Sequence, residues 1–218
     1  MKLECPFKKH VKNMPEYELI YFGIPGRAEP IRLCFHAAGV PFKDTRVARE
    51  DWPTVKQDVK KIPFGVMPVL LIDGKPLCES HTITRYVAKV TGLDGGPDPL
   101  DVAHIDQIYE MCRSFSDAVF RYLMVCLGVL QEDKQKLCDE VFSPNVEKHF
   151  NHIRSQLKPS GFFGDKVTYA DIYWSRVILV FNKFNPEIIQ KYPEFLEQAK
   201  KVNELPQLQD YLKSQQQA

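Results

Sequence analysis

The chain has no long apolar run. Its hydrophobic stretches stop well short of the roughly 20 residues that a membrane-spanning helix needs, so no segment is expected to cross a bilayer. It also has little net charge, +1 from 29 Lys and Arg against 28 Asp and Glu. That balance argues against a general nucleic-acid binder, which needs a clustered excess of cations, while leaving a local basic patch open. The six cysteines (Cys5, Cys34, Cys78, Cys112, Cys126 and Cys138) form no CxxC pair and no metal-ligand spacing. A zinc module and a disulfide framework are therefore not expected, and the cysteines read as small buried hydrophobes in a reducing, cytoplasmic compartment. No internal repeat is present. The opening MKLECPFKKHVKNM lacks an apolar core of signal-peptide length, and residues 1–14 read as a flexible extension.

The composition that remains is that of an ordinary globular protein, 44% hydrophobic and 26% charged over 218 residues, enough for one large domain or two small ones. Residues 15–91 mix strands and helices. YELIYF (17–22) suits an interior strand, and GIPG breaks the chain after it. A helical period follows from Arg27 to Gly39, then a strand over 42–47 and a short helix opened by Asp51 and Pro53 over 51–61. Two apolar runs flank Asp73–Gly74, a strong hairpin signal, and Ser80 reads as the cap of a helix to about Val90. The order is βαβαββα, with a parallel first pair and an antiparallel hairpin.

GLDGGPDPL (92–100) reads as a linker. Beyond it, over 101–218, strand signals vanish. One apolar stripe runs from Ile105 through Cys112, Phe115, Val119 and Tyr122 to Cys126, and another from Cys138 to Leu157 across a break at Ser143–Pro144. Thr168 and Asp171 form a capping box before a run that is apolar almost all round, as for a central helix. Two shorter helices follow. An α/β domain with an all-helical second domain is the expected architecture.

Several polar residues have a double reading. Tyr21 ends the first strand beside a Gly/Pro turn, where ligands approach such sheets; it is either a core tyrosine or an O–H donor to a ligand. Ser80 at a helix start is a simple N-cap or, with the free N–H groups around it, a carboxylate site; Glu79 beside it can accept from an ammonium. Trp52 and Lys56, one helical turn apart, form a solvated face or a second carboxylate site. Pro68, at the mouth of the 69–72 strand, makes sense if the Met67–Pro68 bond is cis and turns the Met67 backbone toward an extended ligand. An ammonium, two carboxylates, two amides and a thiol, which are the groups of glutathione, would satisfy this set.

Taken in order, YFGIPGRAEPIR, DWPTVK, PFGVMPVL, LCESHTITRYVA and GDKVTYADIYW resemble the cytosolic glutathione transferases over about residues 15–215. They are most similar to the sigma class, which includes the haematopoietic prostaglandin D synthase and the S-crystallins, and the ES pair is shared with helminth transferases. The resemblance implies a thioredoxin-like domain with cis Pro68, and a helical domain that completes an electrophile pocket. It implies that Tyr21 is the catalytic hydroxyl with Arg27 near the thiol. It places the glycine carboxylate on Trp52 and Lys56, the cysteinyl unit on Met67 with Gly65 and Val66 alongside, and the γ-glutamyl end on Glu79 and Ser80. The activity implied is conjugation of glutathione to hydrophobic electrophiles by a homodimer. Isomerisation of prostaglandin H2, or a non-catalytic crystallin or carrier role, are the alternatives. Phe22, Ile24, Phe115, Val119 and Tyr122 are the residues expected to line the electrophile pocket. Two departures stand out: Ser114 occupies the register of an acidic residue, so no metal is expected, and Val66 replaces a longer polar residue.

Overall fold

The computed structural model describes residues 14–216; apart from Met14, the extension expected over 1–14 lies outside them. Two compact units are formed. One runs up to Asp94 and takes in the chain again from Leu205, and the other is Gly95–Glu204.

The first unit contains a four-stranded sheet in the order β2-β1-β3-β4, from β1 Tyr17–Phe22, β2 Lys43–Val47, β3 Val69–Ile72 and β4 Lys75–Cys78. β1 and β2 are parallel, with α1 in the crossover that a parallel pair needs, and the other pairs are antiparallel. Asp73 and Gly74 turn the hairpin with φ of 48° and 77°, the left-handed pair that a two-residue turn needs. One face of the sheet carries Ile20, Val47, Val69, Leu71 and Cys78, with buried Ile62 and partly buried Trp52, Val55 and Met67 packed on them. Helices α1 (Glu29–Ala38) and α3 (Ser80–Thr91) also belong to this unit and pack on each other. The ring of Phe35 on α1 lies 5.1 Å from that of Tyr17, which points to the opposite face of β1. This is the thioredoxin-like arrangement. The expected 51–61 helix is only one turn long, α2 Trp52–Val55.

The second unit is entirely helical among its described residues. It comprises α4 Pro99–Ala118, α5 Phe120–Cys126, α6 Lys134–Leu137, α7 Ser143–Arg154, α8 Tyr169–Phe184, α9 Pro186–Ile189 and α10 Pro193–Asn203. The side chain of Asp98 caps α4 by accepting from Leu100 N–H at 2.7 Å. The Ser143–Pro144 break is a π-helical turn over Cys138–Phe142, in which Ser143 N–H reaches back to Cys138 O. Pro144 follows with no N–H to donate. α8 is central, as its sequence predicts, with Trp174 and Ile178 fully buried. Its capping box is complete. Asp171 accepts from Thr168 N–H (2.8 Å) and Oγ1 (2.6 Å), and also from Phe163 N–H (2.8 Å) and Gln198 Nε2 (2.6 Å).

The last helix of the helical domain expected over 101–218 packs on the sheet unit. α11 (Gln209–Gln216) belongs to the sheet unit. There Tyr211 donates to Glu29 Oε2 at 2.8 Å and stacks on His36 at 4.3 Å. Burial, with the Glu29 carboxylate adding, pushes the Tyr211 phenol well above its ordinary range. An amphipathic stripe tells that a helix packs, and nothing about which unit it packs on.

Candidate functional site

The site residues of the sheet unit gather because of strand register. Ile20 pairs with Val69, and Val69 with Cys78. One step further along these ladders brings Tyr21, Pro68 and Glu79 into a row across β1, β3 and β4 at one end of the sheet. Neighbouring strands lie about 4.8 Å apart, so the row spans about 10 Å, the scale of a tripeptide. The Met67–Pro68 bond is cis. Among the described residues nothing pairs with the Met67 backbone N–H or C=O.

Glu79 has φ 70° and ψ 111°, a strained conformation for a residue with a side chain. It is the residue before α3, so the expectation that Ser80 is the cap is corrected: Ser80 is the first helical residue, its C=O accepting from Thr84 Oγ1 at 2.8 Å. Ser80 is 8% exposed and opens the first turn of α3, where backbone N–H groups point toward the helix start. Glu79 itself is exposed.

Tyr21 is 8% exposed, and its Oη accepts from Arg27 N–H at 3.3 Å. The Arg27 side chain is exposed. The loop between them is held from beneath by Arg32, which the sequence reading did not single out. Fully buried, Arg32 donates through Nη1 to the carbonyls of Ile24 (2.8 Å) and Pro25 (3.3 Å) and through Nη2 to that of Phe22 (3.2 Å). Its Nε bonds both Asp44 oxygens at 3.1 Å, and its guanidinium lies 5.8 Å from the Tyr21 ring centre. The available signal was an arginine inside the apolar EPIRLCF segment, where a cation needs partners.

Trp52 is half-buried against the sheet, 5.8 Å from the ring of Phe22, while Lys56 is exposed at the end of the α2 turn. Gly65 and Val66 are exposed just ahead of Met67. Phe22 is half-buried and Ile24 is 42% exposed. Phe115, Val119 and Tyr122 are not: at 0%, 1% and 0% exposure they are core, and the expectation that they line an open pocket is corrected. The Phe115 ring meets those of Phe142, His149, Phe150, Trp174 and Phe181 within 6.2 Å, and Tyr122 Oη donates to Asn185 Oδ1 at 2.8 Å. A groove of about 270 Å³ in the helical unit is lined instead by residues such as His104, Ile105, Lys158 and Phe163.

Three buried thiols, Cys34, Cys78 and Cys112, are pushed away from the reactive thiolate form. Burial raises the Cys34 and Cys112 thiols far above their ordinary value; at Cys78 burial acts first and the neighbouring Glu79 carboxylate second, against an N–H from Phe64. The described residues contain no group of three or more His, Cys, Asp or Glu able to hold a metal. Around Ser114, Arg113 pairs with Glu110 at 2.9 Å and Asp117 at 3.0 Å. No helix of the described residues is long and apolar enough to cross a membrane.

The N-terminal domain family of the glutathione S-transferases matches residues 17–89, and the C-terminal domain family matches residues 116–215. Glutathione S-transferase 1 of Ascaris suum is 34% identical over 202 residues, covering 91% of this chain and 96% of that protein. The hematopoietic prostaglandin D synthase of Homo sapiens is 30% identical over 205 residues, covering 92% and 96%. Among solved structures, the monomeric glutathione S-transferase Na-GST-3 of the hookworm Necator americanus superposes with a TM-score of 0.84 at 36% identity, covering 91% of this chain and 97% of that one. With both domain families matched in order and relatives aligned along nearly their whole length, the chain belongs to the glutathione S-transferase family.

Proposed function

We propose that the protein conjugates the sulfur of glutathione to hydrophobic electrophiles, with Tyr21 holding that sulfur as a thiolate. The observation that carries the reading is the row of Tyr21, Pro68 and Glu79 at one sheet end, with Ser80 opening α3 beside it. Glu79 receives the γ-glutamyl ammonium, and Ser80 with the first-turn N–H groups receives its carboxylate. The Met67 backbone pairs with the cysteinyl unit as an added strand would, next to Gly65, Val66 and cis Pro68. Trp52 Nε1 and Lys56 take the glycine carboxylate. Tyr21 and the cationic Arg27 then face the sulfur.

The energetics fit one hydrogen bond. A free thiol has a pKa of about 8.5 and is only a few per cent thiolate at pH 7. Lowering it by about two units takes roughly 2.7 kcal/mol, and a hydrogen bond to a charged partner supplies about 1.5–3 kcal/mol. The thiolate attacks an electrophilic carbon, the new C–S bond forming as the leaving group departs with its electron pair. Phe22, half-buried at the end of β1, and Ile24, exposed just beyond it, flank the incoming carbon.

Tyr21→Phe tests this. Glutathione affinity stays nearly unchanged, while the midpoint of the bound thiol, read by thiolate absorbance, rises by about one to two pH units. An unchanged midpoint removes Tyr21 from the role. Turnover of 1-chloro-2,4-dinitrobenzene with glutathione checks the activity itself.

A second reading is favoured by the 30% identity to the human prostaglandin synthase: glutathione-dependent isomerisation of prostaglandin H2. Offering prostaglandin H2 in place of the aryl halide separates the two. The retained Tyr21, Arg27 and Glu79–Ser80 speak against a crystallin or pure carrier role. Sigma-class membership, a cytoplasmic location and a homodimer complete the proposal. The hookworm relative is monomeric, so light scattering on the eluted protein decides the last.

A further inference from the structure

Gly26 lies in the loop between β1 and α1 with φ +44°, a conformation that side chains rarely adopt. More telling is what a side chain there would meet. A Cβ on Gly26 would sit 2.7 Å from Tyr21 Oη, 3.0 Å from Cε1 and 3.3 Å from Cζ. The first distance is closer than a carbon and an oxygen approach without a bond, so something would have to move.

The surroundings limit what can move. The loop cannot simply lift, because Arg32 holds the carbonyls of Phe22, Ile24 and Pro25 and is itself fixed by Asp44. The Tyr21 ring is buried, with Phe22 edge-on at 5.6 Å and Arg32 at 5.8 Å. What gives is the outer end of the Tyr21 ring, which tilts away from position 26 and carries its hydroxyl with it. Its displacement breaks the contact by which Arg27 N–H donates to Oη. That donation matters chemically: an N–H pulling density from the phenol oxygen makes the O–H a stronger donor to a third group.

We infer that Gly26 is a positioning residue, whose missing side chain sets the place of the Tyr21 hydroxyl and lets the Arg27 amide polarise it. The inference rests on the proposal that Tyr21 donates to the glutathione sulfur.

The test is Gly26→Ala, Tyr21→Phe and the double variant, each titrated for thiolate absorbance with saturating glutathione. Gly26→Ala alone raises the thiol midpoint by about one pH unit, leaving about tenfold less thiolate at low pH. The acid limb of kcat/KM moves with it, while glutathione affinity changes little. In the Tyr21→Phe background the same substitution shifts the midpoint no further. If Tyr21→Phe itself leaves the midpoint in place, the Tyr21 role fails. If Tyr21→Phe raises it and Gly26→Ala does not, the Gly26 inference is overturned while the Tyr21 role stands. Thermal unfolding gives an independent reading: Gly26→Ala lowers the midpoint temperature more in the Tyr21 protein than in the Phe variant, which lacks the oxygen at 2.7 Å. Equal losses in both backgrounds, including equal failure to fold, count against it.

Discussion

The residues expected to bind ligand fall in two kinds of place. In the sheet unit, Tyr21, Met67, Glu79 and Ser80 stand where strands end and a helix begins, Tyr21 and Ser80 8% exposed and Glu79 exposed. In the helical unit, Phe115, Val119 and Tyr122 are at most 1% exposed. The first set stands out by chemistry: a phenol at a strand end, a carboxylate at a helix start, a proline before a buried strand. The second stands out by spacing alone. An apolar residue every three or four positions reports the face that a helix buries, so the signal that finds the helix also finds its core.

The harshest test of that contrast is Phe115→Ala. The ring sits among five others, with Phe150 at 5.0 Å and Trp174 at 5.7 Å, and neighbours this large and interlocked collapse poorly into a void. A loss of about 4 kcal/mol is expected in urea unfolding. The fraction that stays folded keeps its KM for 1-chloro-2,4-dinitrobenzene. Little loss of stability with a large change in that KM would make Phe115 a pocket residue after all.

Next comes Arg32→Met, which asks what the exposed site stands on. The guanidinium is fully buried and holds three loop carbonyls and Asp44. Removing a buried charge from its partners costs about 3–5 kcal/mol. Asp44 keeps its 2.9 Å contact with Arg46, so the cost falls on the carbonyls and on the buried Glu29 carboxylate, which lies 3.6 Å from Arg32 Nη1. Activity falls with stability here, since the loop carries the Arg27 N–H. A variant less stable but with an unshifted thiol titration would separate the clamp from the chemistry.

Much of this was readable from sequence because it rests on local rules. The Asp73–Gly74 turn, the capping box of Thr168 and Asp171 and the Gly39 stop are each fixed by a few adjacent residues. So are the parallel first pair, from the helix between β1 and β2, and the antiparallel hairpin of β3 and β4. What escaped depends on distant partners. The return of α11 to the sheet unit is decided by Glu29 and His36, more than 170 positions away from Tyr211. Arg32 was hidden because its partners are backbone carbonyls, which carry no residue signature. The strained Glu79 was hidden because a positive φ is expected of glycine.

The gentlest substitution sharpens the comparison most. Ile24 is 42% exposed, on the loop that Arg32 clamps, so Ile24→Ala removes apolar atoms that already touch solvent. Stability should change by no more than about 0.5 kcal/mol, as for surface changes away from packed features. If this loop meets the electrophile, the lost methylenes reappear as weaker binding of a hydrophobic substrate. Each such group is worth about 1–3 kcal/mol in an enclosed pocket, and a half-open position earns the lower end, several-fold in kcat/KM. The KM for glutathione stays put, because the backbone of the loop has not moved. Phe115→Ala and Ile24→Ala thus predict opposite pairings of stability and specificity. Varying the size of the aryl halide distinguishes them further: the penalty at Ile24 grows with the apolar area of the substrate, whereas a purely structural effect is the same for every electrophile.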